Sequence, residues 1–257
     1  MCIRDSNYFF VALLVLLAIA DGCFHLAHQG VIDLPLAQGL RVALDVILLV
    51  MVVIGGRVIP MFTNNGVPGA MAMRKSALER MAPGTVLLVL AADLLPAPDW
   101  AIAAVAVLAA ATHAARLWLW QPWTTLRTPM VWILHAAYGW IVVAFVLRAL
   151  AAAGWVADPL ATHALTMGAI GSMTLGMMAR TARGHTGRPL QADAFDLLMF
   201  VAIQVAVLLR VFGPLAQPAA YRGWIIAGGA MWSVAFALYA IRYGRLLVRP
   251  RPDGKPG

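Results

Sequence analysis

The sequence has very little cysteine: only Cys2 and Cys23 are present, and they do not form a Cys-x-x-Cys pair. Iron–sulfur clusters and covalently attached c-type haem need closely spaced cysteines, so neither is expected, and a disulfide scaffold is equally unexpected. Charged residues are also scarce, at 12% of the chain against 62% hydrophobic residues. This balance excludes an ordinary soluble domain, because such domains carry about 25% charged residues.

Hydrophobic blocks, in contrast, are abundant, and each has the length of roughly 20 residues that crosses a hydrocarbon core as an α-helix. Eight spans are predicted, near residues 8–27, 40–59, 78–96, 99–118, 130–152, 160–179, 195–213 and 223–244. Pro83 and Gly84 leave the third span the shortest uninterrupted apolar run. We therefore predict an all-α, polytopic transmembrane helix bundle, with a single helical domain over 1–249 and a disordered cytoplasmic tail over 250–257.

Lysine and arginine alternate between the segments that join the spans. Of the 19 such residues, all but Arg41, Arg148, Arg210 and Arg222 fall on one side of the predicted membrane. Because positively charged loops stay in the cytoplasm, both termini are predicted to be cytoplasmic. The net charge of +8 does not indicate a nucleic-acid partner, since these side chains lie at span ends, where they meet lipid headgroups. The predicted partner is the lipid bilayer.

Ionisable side chains inside a bilayer are costly and often functional. Near the predicted outer surface, Asp21, His25 and His28 share one face of the first span, and His163 begins the sixth. Neutral imidazole is a common metal ligand, and Met167, one turn after His163, would suit copper. We predict a metal site formed by His25, His28 and His163. The alternative is that these polar groups simply face water.

Carboxyl groups lie at the same predicted depth. Asp45 is on the second span and Asp93 is on the third. Asp45 has two interpretations: it orients a metal ligand, or it pairs with Arg41 one turn earlier.

A second group of polar residues lies near the predicted inner surface. His113 is on the fourth span and His135 is on the fifth. One interpretation is a haem or metal held between these imidazoles, with arginines binding haem propionates through paired hydrogen bonds. The other is that neighbouring carbonyl groups satisfy both imidazoles. The predicted cofactor-binding residues are His113, His135, Arg57, Arg180, His185 and Arg188.

Small residues recur at every fourth position of the sixth span, at Gly168, Ser172 and Gly176. Such a stripe lets another helix, or a flat cofactor, approach the backbone closely, and helix packing is the commoner use. The methionines of this span are interpreted as core filling rather than as a copper relay.

Two segments resemble the NnrS family of bacterial inner-membrane proteins: Gly55–Gly66, and His163–Leu190 with its Arg-x₃-Gly-His-Thr-Gly-Arg ending. The resemblance covers essentially the whole chain after its first few residues. It implies a haem- and copper-containing protein of about twelve spans, linked to nitric oxide, nitrosative stress and denitrification. Eight spans would then be the C-terminal two-thirds of such a protein. Catalytic residues are not identified, and whether the protein catalyses a reaction stays open.

Two other functions are compatible with the sequence. A multi-span transporter or permease without haem is the first alternative, and broken helices near the membrane midplane would favour it. The only such break in the sequence is at Pro83 and Gly84. The second alternative is a structural or assembly subunit, whose polar residues would not converge on a pocket.

Overall fold

The computed structural model describes residues 8–33, 35–252 and 254, which form helices, turns and loops with no strand. The helices are α1 (Tyr8–His28), α2 (Leu36–Gly66), α3 (Ser76–Leu94), α4 (Asp99–Leu119), α5 (Pro129–Ala152), α6 (Pro159–His163), α7 (Ser172–His185), α8 (Ala194–Ala216) and α9 (Tyr221–Leu247). A π-helical segment, Ala164–Gly171, joins α6 to α7 without a break in the rod. The predicted all-α fold is confirmed.

Six helical stretches within the described ranges are long and apolar enough to cross a membrane: Val11–His28, Gln38–Gly66, Asp99–Leu119, Pro129–Ala152, Ala194–Ala216 and Pro218–Leu247. The other two predicted spans correspond to α3 and to the rod of α6, the π-helical segment and α7. Glu79 and Arg80 make the start of α3 polar. About eight rods therefore form the bundle, as predicted. We call the end of the bundle that carries Arg57, Arg180 and Arg183 the arginine-rich end. The end that carries Arg41, Arg148 and Arg210 is the arginine-poor end.

The chain termini lie only partly within the described part of the protein. Residues 1–7, which begin the predicted domain and include Cys2, lie outside the described part. Of the tail predicted to be disordered, 250–252 and 254 are inside. Arg251 there donates a hydrogen bond to the His185 carbonyl oxygen, at 2.8 Å.

Helix α2 extends beyond the predicted span, which was expected to end at residue 59. Pro60 removes one backbone hydrogen bond, yet the helix continues for six more residues to Gly66. The Thr63 hydroxyl donates to the Ile59 carbonyl, at 2.8 Å. After Gly66 the chain is extended, held by Asn64, whose amide bonds both the N–H and the carbonyl of Ala72. Asn64 therefore lies at the end of α2 and holds the following loop through two hydrogen bonds to Ala72.

Helix α5 lies at the centre of the bundle and packs against α2, α4, α6, α7, α8 and the π-helical segment. Its side chains are buried on most sides, including Ile133, Leu134, Tyr138 and Ile141. Helices α8 and α9 form a closely packed pair. Helix α1 lies against α2, and half of its apolar residues from Val11 onwards are exposed.

The predicted small-residue stripe packs against α5. A Cβ on Gly168 would lie within 2.8 Å of three Trp140 atoms, and one on Gly176 would lie 2.9 Å from Ile133. Between them, Gln204 of α8 donates to Ser172 and accepts from the Trp140 indole, both at 2.8 Å. The stripe therefore serves helix packing, because it lets α5 approach the backbone of this rod closely.

Gly168→Ala should lower the free energy of unfolding by about 1–3 kcal/mol, because the new methyl group must displace Trp140. Trp140 cannot yield freely, since its indole is bonded to Gln204. Denaturant unfolding of the purified protein in detergent measures the change. Gly229→Ala on α9 is the matched control, because a Cβ there meets no atom within 4 Å. Equal stability of the two variants would contradict this packing.

Candidate functional site

A buried arginine occupies the centre of a polar network towards the arginine-rich end. Arg116 of α4 is 2% exposed. Its guanidinium donates to both Glu79 carboxyl oxygens, at 3.0 and 2.7 Å, to the Val52 carbonyl at 2.9 Å and to the Tyr138 hydroxyl at 3.0 Å. These partners belong to α3, α2 and α5. One charged group therefore ties four helices together.

Room for this guanidinium comes from Gly56 of α2. Any Cβ at that position would overlap the Arg116 guanidinium, whereas a Cβ on the neighbouring Gly55 would make ordinary contacts, the closest at 3.5 Å. Gly56 therefore permits the approach of Arg116 to the α2 backbone.

The two histidines predicted to share a cofactor are both buried beside this network. His113 Nδ1 is 2.7 Å from the Tyr138 hydroxyl, and His135 Nε2 is 2.8 Å from the Thr63 hydroxyl. The second nitrogens, His113 Nε2 and His135 Nδ1, make no hydrogen bond within the described structure, nor does the buried indole N–H of Trp120.

Aromatic rings separate those two histidines. Trp120 packs on Tyr138 with ring centroids 4.5 Å apart and meets His135 edge-on at 6.4 Å. His113 in turn stacks on Phe145 at 5.5 Å. A haem between His113 and His135 would have to displace Trp120 and Tyr138, so the packing does not fit a shared haem there. Their individual roles as ligands stay predictions.

At the arginine-poor end, the predicted metal ligands lie on different helices with different surroundings. His25 and His28 are exposed on α1, and His25 is 3.7 Å from the Asp21 carboxylate. His163 accepts a hydrogen bond from Arg210 of α8 through Nε2. The described residues hold no group of three or more His, Cys, Asp or Glu side chains suited to a metal ion. The structure therefore does not unite these three histidines.

Asp45, for which two roles were considered, is buried with a different partner. Arg148 of α5 lies 4.0 Å from Asp45 and forms a short ion pair with Asp93. Arg41 instead pairs with Asp158, at 2.8 Å. The Asp45–Arg41 pair, one of the two interpretations, does not form, and Asp45 instead belongs to a cluster spanning α2, α3 and α5.

A cleft of about 730 Å³ opens between α2, the α9 helix and the rod of the π-helical segment and α7. Its wall is mostly apolar and carries four methionines, Met51, Met173, Met177 and Met178. His185, the last residue of α7, lines it together with Tyr239 of α9. Ligand pockets typically measure about 300–1,000 Å³ and are mostly apolar with few polar groups, so this cleft suits a large apolar ligand.

Cationic side chains lie at the same end of the bundle as His185. Arg57 is exposed on α2, next to Val58 of the cleft wall. Arg180 lies over the Phe62 ring, 3.7 Å from its centroid, and no carboxylate in the described structure forms an ion pair with it. Arg188 is half-buried, and its guanidinium donates to the Thr186 carbonyl, at 3.3 Å.

Arg183 behaves differently from its neighbours. Helix α7 continues to His185, and Arg183 on this helix faces α8 and α9. It donates to the Tyr243 hydroxyl at 3.1 Å and forms a short ion pair with Asp196. Asp196 on α8 is therefore its buried anionic partner.

Asp193 caps α8 beside this cluster. Its carboxylate accepts from the Asp196 N–H at 3.1 Å and forms a short ion pair with Arg242. Partial burial opposes ionisation of Asp193, but these hydrogen bonds outweigh it and hold its pKa below the usual range. The carboxylate is therefore ionised at neutral pH.

Glu79, Tyr243 and Met51 belong to these sites but were not predicted. Glu79 lies at the polar start of the third span, where a carboxylate reads as an ordinary surface residue. The sequence signal that was available is that Arg116 lies within a predicted span and therefore requires a buried anion. No pattern in the sequence pairs Tyr243 with Arg183, which is 60 residues away.

The fold and these sites define a polytopic α-helical membrane protein with buried ionic clusters and an apolar cleft between helices. No curated protein and no solved structure matches the chain significantly. The NnrS protein family matches residues 3–251, nearly the whole sequence. The chain belongs to the NnrS family, as the two motifs indicated.

Gly56→Ala should lower the free energy of unfolding by about 1–3 kcal/mol, because the methyl group takes the place of the Arg116 guanidinium. Gly55→Ala is the matched control. It should be neutral or stabilising by up to about 1 kcal/mol, as alanine favours a helix. Chemical denaturation in detergent compares the two. A Gly55→Ala variant as unstable as Gly56→Ala would contradict the assigned role of Gly56.

Asp193→Asn should remove a pH-dependent part of the stability. Because the folded-state pKa lies below the ordinary value of 3.8, ionised Asp193 stabilises the protein at neutral pH, and this contribution disappears as pH falls through the folded-state pKa. The stability difference between wild type and variant, measured by denaturant unfolding at several pH values, should shrink on acidification. A difference independent of pH would contradict this prediction.

Proposed function

We propose that this protein binds haem in the cleft between α2, α7 and α9 and acts in the bacterial response to nitric oxide. The observation that carries the proposal is a cleft of about 730 Å³ with an apolar, methionine-rich wall and one histidine. Membership of the NnrS family supports the same function. We also propose an inner-membrane location with cytoplasmic termini, which the arginine asymmetry supports.

The cleft residues supply suitable groups for haem. His185 offers an imidazole, and the wall methionines offer thioether sulfur, both of which are axial ligands in haem proteins. Arg57, Arg180 and Arg188 lie at the same end and would hold the propionate groups, to which guanidinium donates paired hydrogen bonds. A haem iron with an open position binds nitric oxide, and this is the chemistry the cofactor would supply.

Copper is the second proposed cofactor. Thioether sulfur is a soft ligand that selects Cu(I). Met51, Met173, Met177 and Met178 line one cleft, and for this reason we propose them as ligands instead of the core filling that the sequence indicated. These residues fit copper better than the dispersed histidines at the arginine-poor end. His25, His28 and His163 remain predicted ligands, and the copper content of their leucine variants tests that role.

An absorption spectrum of the purified protein tests haem binding directly, through the presence of a Soret band. His185→Leu should abolish most of that band while protein level and helix content hold, because His185 is exposed on the cleft rim. The same variant should lose protection against a nitric oxide donor in cells. His28→Leu, an exposed histidine on α1, is the matched control and should keep its haem.

The buried histidines make this experiment more specific. His113→Leu and His135→Leu should lower stability, because each leaves a hydroxyl partner without its imidazole. Loss of haem from these variants at unchanged stability, with haem retained in His185→Leu, would reject the cleft and support the buried pair. A wild-type protein without any Soret band would reject haem binding altogether.

A permease is the second candidate function. The observation in its favour is the π-helical segment Ala164–Gly171, which interrupts the regular α-helix inside one rod and borders the cleft through Ile170. Such segments often occur at functional sites. A wild-type protein lacking haem would leave this function as the better explanation of the cleft.

A further inference from the structure

At the arginine-poor end, two carboxyl groups face one guanidinium inside the bundle. Asp45 of α2 is 2% exposed and Asp93 of α3 is 8% exposed. Arg148 of α5 approaches both. Both carboxyl groups therefore lie beside the same guanidinium. Three helices thus converge on a buried cluster that carries one more anion than cation when every group is ionised.

The other charged groups near this end do not correct that imbalance. Arg41 pairs with Asp158 at 2.8 Å, and this exposed pair is neutral as a unit. On α1, Asp21, His25 and His28 are exposed to the surroundings. Within the described structure, no further cation forms an ion pair with Asp45 or Asp93.

Two oxygens in the cluster lack a hydrogen-bond partner. Asp45 Oδ2 and Asp93 Oδ2 are both buried and accept nothing from the described protein. Two adjacent buried carboxylates disfavour ionisation of both, and a single proton between them removes the excess charge. That proton also converts one carboxylate into a donor, so that one of the two groups can bond the other.

A small cavity connects the cluster with the arginine-poor surface. Its volume is about 40 Å³, and Asp45, Arg148, Arg41 and Asp158 all line it. A cavity above roughly 10–15 Å³ has room for a water molecule, and the charged groups on this otherwise apolar wall offer it hydrogen-bond partners. Water in this cavity would reach Asp45 from the side of the exposed Arg41–Asp158 pair.

We propose that Asp45 and Asp93 share one proton and form a proton-binding site that exchanges with the arginine-poor side of the membrane. The site is separate from the cleft and does not depend on haem binding. It takes up a proton when both carboxylates are ionised, and Arg148 compensates the single negative charge that remains. The binding step is an acid–base equilibrium and needs no redox partner.

Phe145 borders this site on the inside. Its ring lines the cavity and stacks on His113, with centroids 5.5 Å apart. Beyond it, His113, Tyr138, Arg116 and Glu79 form a continuous hydrogen-bonded chain. The proton-binding site therefore lies one aromatic ring away from a polar network that continues towards the other end of the bundle.

Infrared spectroscopy of the wild-type protein in detergent at neutral pH tests the proposal. A protonated carboxyl group has a C=O stretching band distinct from the carboxylate bands, and this band shifts in D₂O. We expect such a band with the intensity of one carboxylic acid per chain. Its decrease as pH rises should report deprotonation of the Asp45–Asp93 pair. Its absence at neutral pH would overturn the proposal without reference to any variant.

Variants assign the band to the pair. Asp45→Asn and Asp93→Asn should each abolish it, because a single carboxylate beside Arg148 stays ionised. Asp158→Asn is the matched control, since Asp158 lies on the same cavity but pairs with Arg41, and it should retain the band. Circular dichroism and size-exclusion elution verify that the variants fold.

Two further results would overturn the proposal. Persistence of the band in both Asp45→Asn and Asp93→Asn would place the proton elsewhere. A band that appears at neutral pH only after sodium is removed would show that the pair holds a monovalent cation instead. Both results are independent of the Soret band, so failure of this proposal and failure of haem binding are distinguishable.

Discussion

The burial of Arg116 is the interaction on which the arrangement of the first helices depends. A guanidinium that is 2% exposed must have its N–H groups satisfied, because an unpaired buried charge costs several kcal/mol. Its partners come from α2, α3 and α5, and only a glycine at position 56 leaves space for it. The positions of four helices are therefore coupled through one side chain, and a shift of any helix would leave a charge or a carbonyl without its partner.

Two other arginines, Arg183 and Arg148, connect different sets of helices through ion pairs in the same way. Arg183 binds Asp196 and Tyr243 and connects α7, α8 and α9, while Arg148 connects α5 with α2 and α3 at the opposite end. Between these clusters the helices are held mainly by apolar packing, with a few uncharged hydrogen bonds such as those of Gln204 to Trp140 and Ser172. The cleft lies where α2 faces α9, two helices that belong to different clusters. Such a gap can open without breaking an ion pair, and this explains how a large cleft coexists with a tightly bonded bundle.

The fold was predictable because a bilayer fixes both the length and the apolar character of each span, and these properties are local. The boundaries of the helices were less predictable. Helix α2 continues past Pro60, because a packed bundle tolerates the loss of one hydrogen bond. The faces that carry His113 with Arg116 and His135 with Tyr138 were also visible as helical spacing. Which faces meet depends on how each helix is rotated about its axis, and no local sequence pattern predicts that rotation. Glu79 and the carboxyl partner of Arg148 were missed for that reason.

Buried polar atoms without partners distinguish this bundle from one built only for stability. Such atoms are rare in proteins because each costs about 1–3 kcal/mol. Here six side-chain atoms within the described structure have none, and two of them belong to Trp120 and His135, whose rings meet edge-on at 6.4 Å. Two more are the carboxyl oxygens beyond Phe145. Apolar side chains of similar size would remove this cost. The proton proposed for Asp45 and Asp93 lowers it at the carboxyl pair, because it turns one carboxyl group into a hydrogen-bond donor for the other.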